Sequence, residues 1–160
     1  LILLSVGTQL PFDRLIRAVD DWARDNPGVD VVAQIGPSTY VPHTLKAFQF
    51  LDGAAFLKLQ TAAELHVSHA GMGSILTAME HSKPIIVMPR DHHLGEHRNG
   101  HQQATARRFI NTPGVHFAQD AEALVALLDQ RERLAAPGGV SPYAPAAFTD
   151  RLRRYLDTGT

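Results

Sequence analysis

Two stretches of the chain crowd chemistry-bearing residues together. The first is HAGMGS, which supplies His69, Ala70, Gly71, Met72, Gly73 and Ser74 between an apolar run and a segment of helical composition. Glycines let a backbone approach a ligand closely, and a helix that starts there turns unpaired N–H groups and its positive dipole end toward the same point. With the Ser74 hydroxyl added, the loop suits a phosphate or a diphosphate. The same letters also describe a tight strand-to-helix turn with Ser74 as the N-cap. The Walker lysine and the full G-x-G-x-x-G spacing are missing, so neither a P-loop ATPase nor an NAD dehydrogenase is favoured.

The second stretch holds His92, His93, His97 and His101, four of the chain's nine His within ten residues. His93, His97 and His101 are spaced by four and would line one face of a helix, an arrangement able to hold zinc. Gly95 and Gly100 interrupt any such helix, and Glu96 is not where the H-E-x-x-H pattern needs its base. The loop reads instead as polar groups, some bonding a ligand and others solvated, with no metal or other cofactor expected. An imidazole can serve as a general base near neutral pH, so His69 and His101 are candidates for that role, with a ligand-contact role for each as the alternative and the catalytic base left open. Arg90 and Arg98 offer two guanidinium groups that either take a ligand carboxylate or pair with Asp91 or Glu96 on the same loop.

Composition narrows the classes. No Cys among 160 residues excludes disulfide frameworks, thiolate metal clusters and cysteine nucleophiles. A formal charge of -1 gives no field for nucleic acid or an anionic membrane surface. The longest apolar runs, LILL at 1–4 and PIIVMP at 84–89, are far short of the roughly 20 residues that span a bilayer. No signal-peptide pattern opens the sequence, so a cytoplasmic protein is expected.

The elements that must carry these loops alternate. Strands are predicted at 1–6, 29–35, 44–51, 65–68, 85–88 and 115–117. Helices are predicted at 12–24, 53–63, 74–81 (Ile75, Leu76 and Met79 on one face), 99–110 and 121–128. Such alternation implies a Rossmann-like α/β fold, a mostly parallel sheet with helices on both faces. The division expected is an α/β domain at 1–134, an extended Pro/Gly/Ala-rich arm at 135–147 and a final helix and tail at 148–160. In open parallel sheets ligands sit beyond the carboxyl ends of the strands, so the loops at Gly7-Thr8-Gln9, at His69 to Ser74 and from Pro89 onward should converge on one crevice.

The segment VSHAGMGSILTAMEHSKPIIVMPRDHHLGEHRNGHQ resembles the C-terminal, donor-binding domain of family 28 glycosyltransferases, with its S-H-A-G-x-G-S/T, K-P, P-R and N/D-x-H-Q pattern. The opening SVGTQLPFDRLI is similar to the stand-alone members, namely the small subunits of the eukaryotic dolichol-linked N-acetylglucosamine transferase and short bacterial exopolysaccharide glycosyltransferases. The resemblance implies the C-terminal half of a GT-B enzyme, which binds a UDP-sugar donor while a membrane-anchored subunit binds the acceptor. It implies that Ala70, Gly71, Met72 and Gly73 with His69 and Ser74 hold the diphosphate, and that Gly7 and Thr8 close the crevice. Asn99, His101 and Gln102 would face the sugar, and the loop from Pro89 would lie near uracil and ribose. Thr77 stands where many members have a ribose-binding Glu, so ribose recognition is either weaker or comes from Glu80 or Glu96, with Glu80 otherwise on the solvated face of its helix.

The function that follows is the donor-binding subunit of a bipartite inverting glycosyltransferase in exopolysaccharide synthesis, acting on a polyprenyl-diphosphate glycan and peripheral to the inner membrane through its partner. Arg90 and Arg98 would fit a glucuronate donor. An accessory subunit that binds no donor and a metal-dependent hydrolase are the alternatives. A crevice with one wall exposed calls for a partner or a homodimer, with the arm and the last helix as contacts.

Overall fold

Strand β5 (Ile85–Met88) shows why the apolar runs of this sequence are continuous rather than alternating. All four of its residues are fully buried, yet Ile86 and Met88 join one hydrophobic cluster while Ile85 and Val87 join another. Side chains along a strand point alternately to opposite faces, so a sheet covered on both sides demands apolar residues at every position. Strand β1 (Ile2–Ser5) is buried throughout in the same way.

In the computed structural model, which describes residues 1–96 and 101–138, six strands form one sheet in the order β3-β2-β1-β4-β5-β6. The others are β2 (Val31–Gln34), β3 (Lys46–Phe48), β4 (Leu65–His69) and β6 (Val115–Phe117), and all five pairings are parallel. The expected mostly parallel α/β architecture is thus observed as a fully parallel sheet among the described residues. The chain builds outward from β1 to β3 and returns to place β4 on the other side of β1, pairing Ser5 with Ser68. The order reverses between β1 and β4, and there the loops after the two strands part and leave a crevice.

Helix α1 (Asp13–Asp25) buries Leu15, Ile16, Val19, Trp22 and Ala23, a stripe at helical spacing, and packs against α5 (Ala121–Asp129) on one face of the sheet. The Trp22 indole donates to Asp129 across that contact at 2.9 Å. The other face carries α3 (Met72–Glu80) and α4 (His101–Phe109), through Ile75, Ala78 and Ala106. Helix α2 (Gly53–Ala62) has no fully buried residue; its Asp52 cap accepts from the Ala55 N–H.

Several bounds differ from the sequence expectation, most by one or two residues. The strand expected over 44–51 is only Lys46–Phe48, because the N–H groups of Thr44 and Leu45 donate to the buried Asp20 carboxylate instead of to a ladder. Helix α3 begins at Met72, two residues early, with the extended Gly71 as N-cap and no side-chain cap, so Ser74 is inside the first turn rather than capping it. Its buried face is Ile75 and Ala78, while Leu76 is 43% exposed. Residues 135–138, the first of the expected arm, pack back on the domain: the Ala135 carbonyl lies 3.0 Å from His116 Nε2, and Pro137 packs directly on Gly114. The remainder of the expected arm and the helix expected at 148–156 lie outside the described residues.

Candidate functional site

The loops after β1, β4 and β5 meet around a cavity of about 260 Å³, lined by Gly7, Thr8, Gln9, Leu10, His69, Arg90 and Gln102 together with Val6. Gly7 leaves the central strand with φ +82°, a left-handed conformation that side chains adopt only with strain, and the His69 ring lies against its open side. A Cβ on Gly7 would stand 3.0 Å from His69 Cε1, and one on Gly71 would stand 2.3 Å from Nε2. Both glycines therefore make room for the imidazole. Gly73 is different: a Cβ there would meet nothing within 4 Å, so the first turn of α3 is open on that side.

Arg90 forms the floor. Its side chain is 4% exposed, and its guanidinium donates to the carbonyls of Val6 (2.6 Å), Leu10 (2.7 Å) and Pro11 (3.2 Å). The whole β1–α1 loop is thereby tied to β5. Burial pulls its pKa down to about 10, against the opposing pull of the Glu96 carboxylate, so the group stays charged at neutral pH. The backbone N–H of Arg90 donates to Gln102 Oε1 at 3.0 Å, which fixes α4 to the same loop. Phe12, itself buried, lies under the guanidinium groups of Arg90 and Arg14 at 5.1 and 5.4 Å.

Glu96 closes the β5–α4 loop from the other side. Arg14 meets its carboxylate with two bonds of 2.8 Å, and the Asp91 N–H adds a third at 2.8 Å. Bonding to Glu96 raises the Arg14 pKa. The ribose role expected for Glu96 is therefore taken up by this fork, and Arg90 pairs with neither Asp91 nor Glu96, as one reading had it, but with backbone carbonyls. The carboxylate clamp expected of Arg90 fails for the same reason: its Nε and Nη2 are already committed.

Of the other expected residues, Ala70 is buried in the core, Met72 is 40% exposed, and Thr77 is half-buried on α3. Ser74 lines a separate, small cavity of about 20 Å³ beside Ser5, Ser68 and Phe56. Glu80 is exposed. Arg98 and Asn99 lie outside the described residues, and so does the side chain of His101. Arg14 acts at the site without a motif to flag it, since only the fold brings it to Glu96, whereas Ser68, the first residue of the S-H-A-G pattern, lines the small separate cavity with Ser74.

Of the His93, His97 and His101 set only His93 is described with its side chain, and it sits in a single 3₁₀ turn, His92–Leu94, ended by Gly95 at φ +74°. Asp91, His92 and His93 keep ligand atoms within 4.8 Å of one another, but Asp91 Oδ1 already accepts the His93 N–H at 2.8 Å. A larger concavity of about 630 Å³ opens at the amino ends of β1 and β4, lined by Leu1, Asp30, Glu64 and Arg131 among others. It gathers none of the loop residues, so the carboxyl-end crevice is the better candidate.

Residues 1–131 match the glycosyltransferase family 28 C-terminal domain. A 49-residue stretch is 49% identical to the UDP-N-acetylglucosamine transferase subunit ALG13 of Eremothecium gossypii, covering 31% of this chain and only 22% of that relative. Among solved structures, ALG13 in solution superposes with a TM-score of 0.60 at 22% identity over 94% of this chain and 93% of its own. The calicheamicin glycosyltransferase CalG4 gives 0.64 at 20% identity over 99% of this chain, and MurG of Acinetobacter baumannii gives 0.59 at 18% over 84%. Those two are matched over 44% and 42% of their lengths, so the chain spans less than half of each, and the likeness concerns the fold.

Proposed function

The chain belongs to the glycosyltransferase family 28 C-terminal domain family, and from that premise we propose that it is the donor-binding subunit of a bipartite inverting glycosyltransferase. The donor is a UDP-sugar. The acceptor, a polyprenyl-diphosphate-linked glycan in exopolysaccharide synthesis, is held by a membrane-anchored second subunit, which also keeps this chain at the membrane surface. No helix among the described residues is long and apolar enough to cross a membrane itself.

The observation that carries this reading is the convergence of Gly7, Thr8, His69, Arg90 and Gln102 on one cavity at the switch point of the sheet. Inverting transfer builds negative charge on the departing diphosphate. The open first turn of α3 at Gly73 offers N–H groups and a dipole to that charge, and the buried Arg90 adds a full positive charge beneath the crevice. The leaving group is stabilised by these groups without a metal. The acceptor's proton goes to a base on the partner or to His69 or His101. With the Arg90 fork occupied, an acidic donor sugar is not part of the proposal.

Calorimetry tests the donor site: UDP is expected to bind the purified chain with equal affinity with and without EDTA, and more tightly than ADP. No heat with UDP would sink the donor-binding reading and leave an accessory subunit. Transfer is expected only when the chain is mixed with the acceptor subunit it co-purifies with; turnover by the chain alone would overturn the bipartite part.

A further inference from the structure

Strands β1 and β5 do not pair with each other; each pairs with β4, which lies between them. The loop that leaves β5 nevertheless ends on the helix that follows β1. Arg14, in the first turn of α1, donates through Nε to Glu96 Oε1 and through Nη2 to Glu96 Oε2, both at 2.8 Å, and Nη2 also reaches the Pro89 carbonyl at 3.2 Å. One guanidinium thus holds both ends of residues 89–96. The Asp91 N–H closes the loop on itself by donating to the same carboxylate. A bidentate fork fixes direction as well as distance, and this one is partly withdrawn from water, with the Arg14 and Glu96 side chains 27% and 14% exposed. To make these bonds the loop must pass over the carboxyl end of β4. It comes down on the face that α1 shares with α5, whereas α3 and α4 cover the opposite face.

We propose that Arg14 and Glu96 are a positioning pair that holds residues 89–96 as a fixed strap across the end of β4, set before any ligand arrives. The strap walls the crevice on the α1 side and leaves it open toward the first turn of α3, where Gly73 borders open space. Within the strap Arg90 is held from two directions. Its guanidinium is bound by the carbonyls of Val6, Leu10 and Pro11, and the N–H of the next residue by Glu96. Neither Arg14 nor Glu96 has to touch a ligand to do this. The consequence for binding rests on the donor-binding function proposed above: a loop already in place makes its contacts without losing freedom at that moment, so releasing it weakens the nucleotide.

Amide hydrogen exchange on the full chain, free of nucleotide, reads the strap directly. The N–H groups of Leu94 and Glu96 bond the Asp91 carbonyl and that of Gly95 bonds the His92 carbonyl, so all three report on the loop. In Arg14→Gln they are expected to exchange at least about tenfold faster while the amides of β1, β4 and β5 keep their rates. Unchanged exchange in the loop overturns the proposal, and so does an equal acceleration in the strands, which is general destabilisation. Should Arg14→Gln not fold, Glu96→Gln breaks the ion pair from the other side and is decided by the same pattern. The reversed pair, Arg14→Glu with Glu96→Arg in one chain, is expected to recover protection that Arg14→Glu alone loses; no recovery counts against the pair. UDP affinity by calorimetry is expected to fall about tenfold in Arg14→Gln and to return in part in the reversed pair. A released loop with full UDP affinity overturns the positioning role. If the unsubstituted chain binds no UDP, the donor-binding reading fails, and the exchange pattern still decides whether the fork holds the strap.

Discussion

Arg90 is the residue whose letter said least about its task. In the sequence it is a cation on a polar loop, free to be imagined on a sugar, a phosphate or a neighbouring carboxylate. Its three carbonyl partners belong to a loop about eighty positions earlier in the chain, and no local pattern announces them. A guanidinium spans several acceptors in one plane, whereas an ammonium is a point donor. Arg90→Lys is expected to lower stability by about 3 kcal/mol, the scale of losing one or two charge-assisted bonds in a buried place. Denaturant unfolding measures this, and UDP affinity should fall with it as the Gly7 loop loosens. A fall in affinity with no loss of stability would mean that Arg90 touches the ligand itself. Asp20 does similar work under the 40–45 loop, taking bonds from the Tyr40 hydroxyl and the N–H groups of His43, Thr44 and Leu45. Asp20→Asn puts an amide donor among four donors and is expected to cost about 2 kcal/mol, read as a shift of the unfolding midpoint at neutral pH.

Helix α3 carries the motif, and its start is where sequence reasoning was right about the place and wrong about the parts. The glycines marked a strand-to-helix turn, and the turn is there. What the letters did not reveal is that the two glycines serve different neighbours, since the reason lies in the position of the His69 ring. Gly71 yields space to that ring, while Gly73 borders open space in the first turn. The two therefore respond oppositely to a methyl group. Gly71→Ala must displace the imidazole and should lower both stability and UDP binding. Gly73→Ala meets no atom and gains helix propensity, so stability should hold or rise by up to about 1 kcal/mol. Its UDP affinity should nevertheless fall, because the methyl occupies the face on which a diphosphate would approach the N–H groups. Paired melting and calorimetry on the two variants check this, and a Gly73→Ala chain with full affinity would move the diphosphate away from the first turn. Helix boundaries elsewhere were legible because caps and periodicity are local. The start of β3 was not, since Asp20 on a distant helix takes the N–H groups of Thr44 and Leu45 just before it.

At the scale of the whole molecule, alternation of strand and helix was enough to announce a parallel sheet, but not which strand stands next to which. The order β3-β2-β1-β4-β5-β6 follows from long-range pairing, and the crevice exists only because that order reverses beside β1. The same burial on both faces that gives the sheet its cohesion also encloses groups that titrate, and this sets how the fold answers acid. His66 points from β4 into the layer beneath α2, where it bonds the Gln60 carbonyl at 3.0 Å and is 5% exposed. Burial lowers its pKa from the ordinary 6.5, and the Gln60 bond offsets this only in part. A folded pKa below the unfolded one means that the unfolded chain binds the proton more readily. The contribution to stability is thus complete above 6.5 and is lost as the pH falls through the lowered value. For Asp20, burial would raise the pKa, but the bonds from His43, Thr44, Tyr40 and Leu45 together outweigh it and leave it lowered. Its contribution is complete above the ordinary carboxylate range and is lost at lower pH still. Acid should therefore weaken the molecule in two stages, the first set by a histidine and the second by a carboxylate. Unfolding free energy measured against pH is expected to slope downward below about pH 6.5, to steepen again below about pH 4, and to lose the first slope in His66→Gln and the second in Asp20→Asn. A His66→Gln chain that keeps the first slope unchanged would place the acid-sensitive group elsewhere in the sheet.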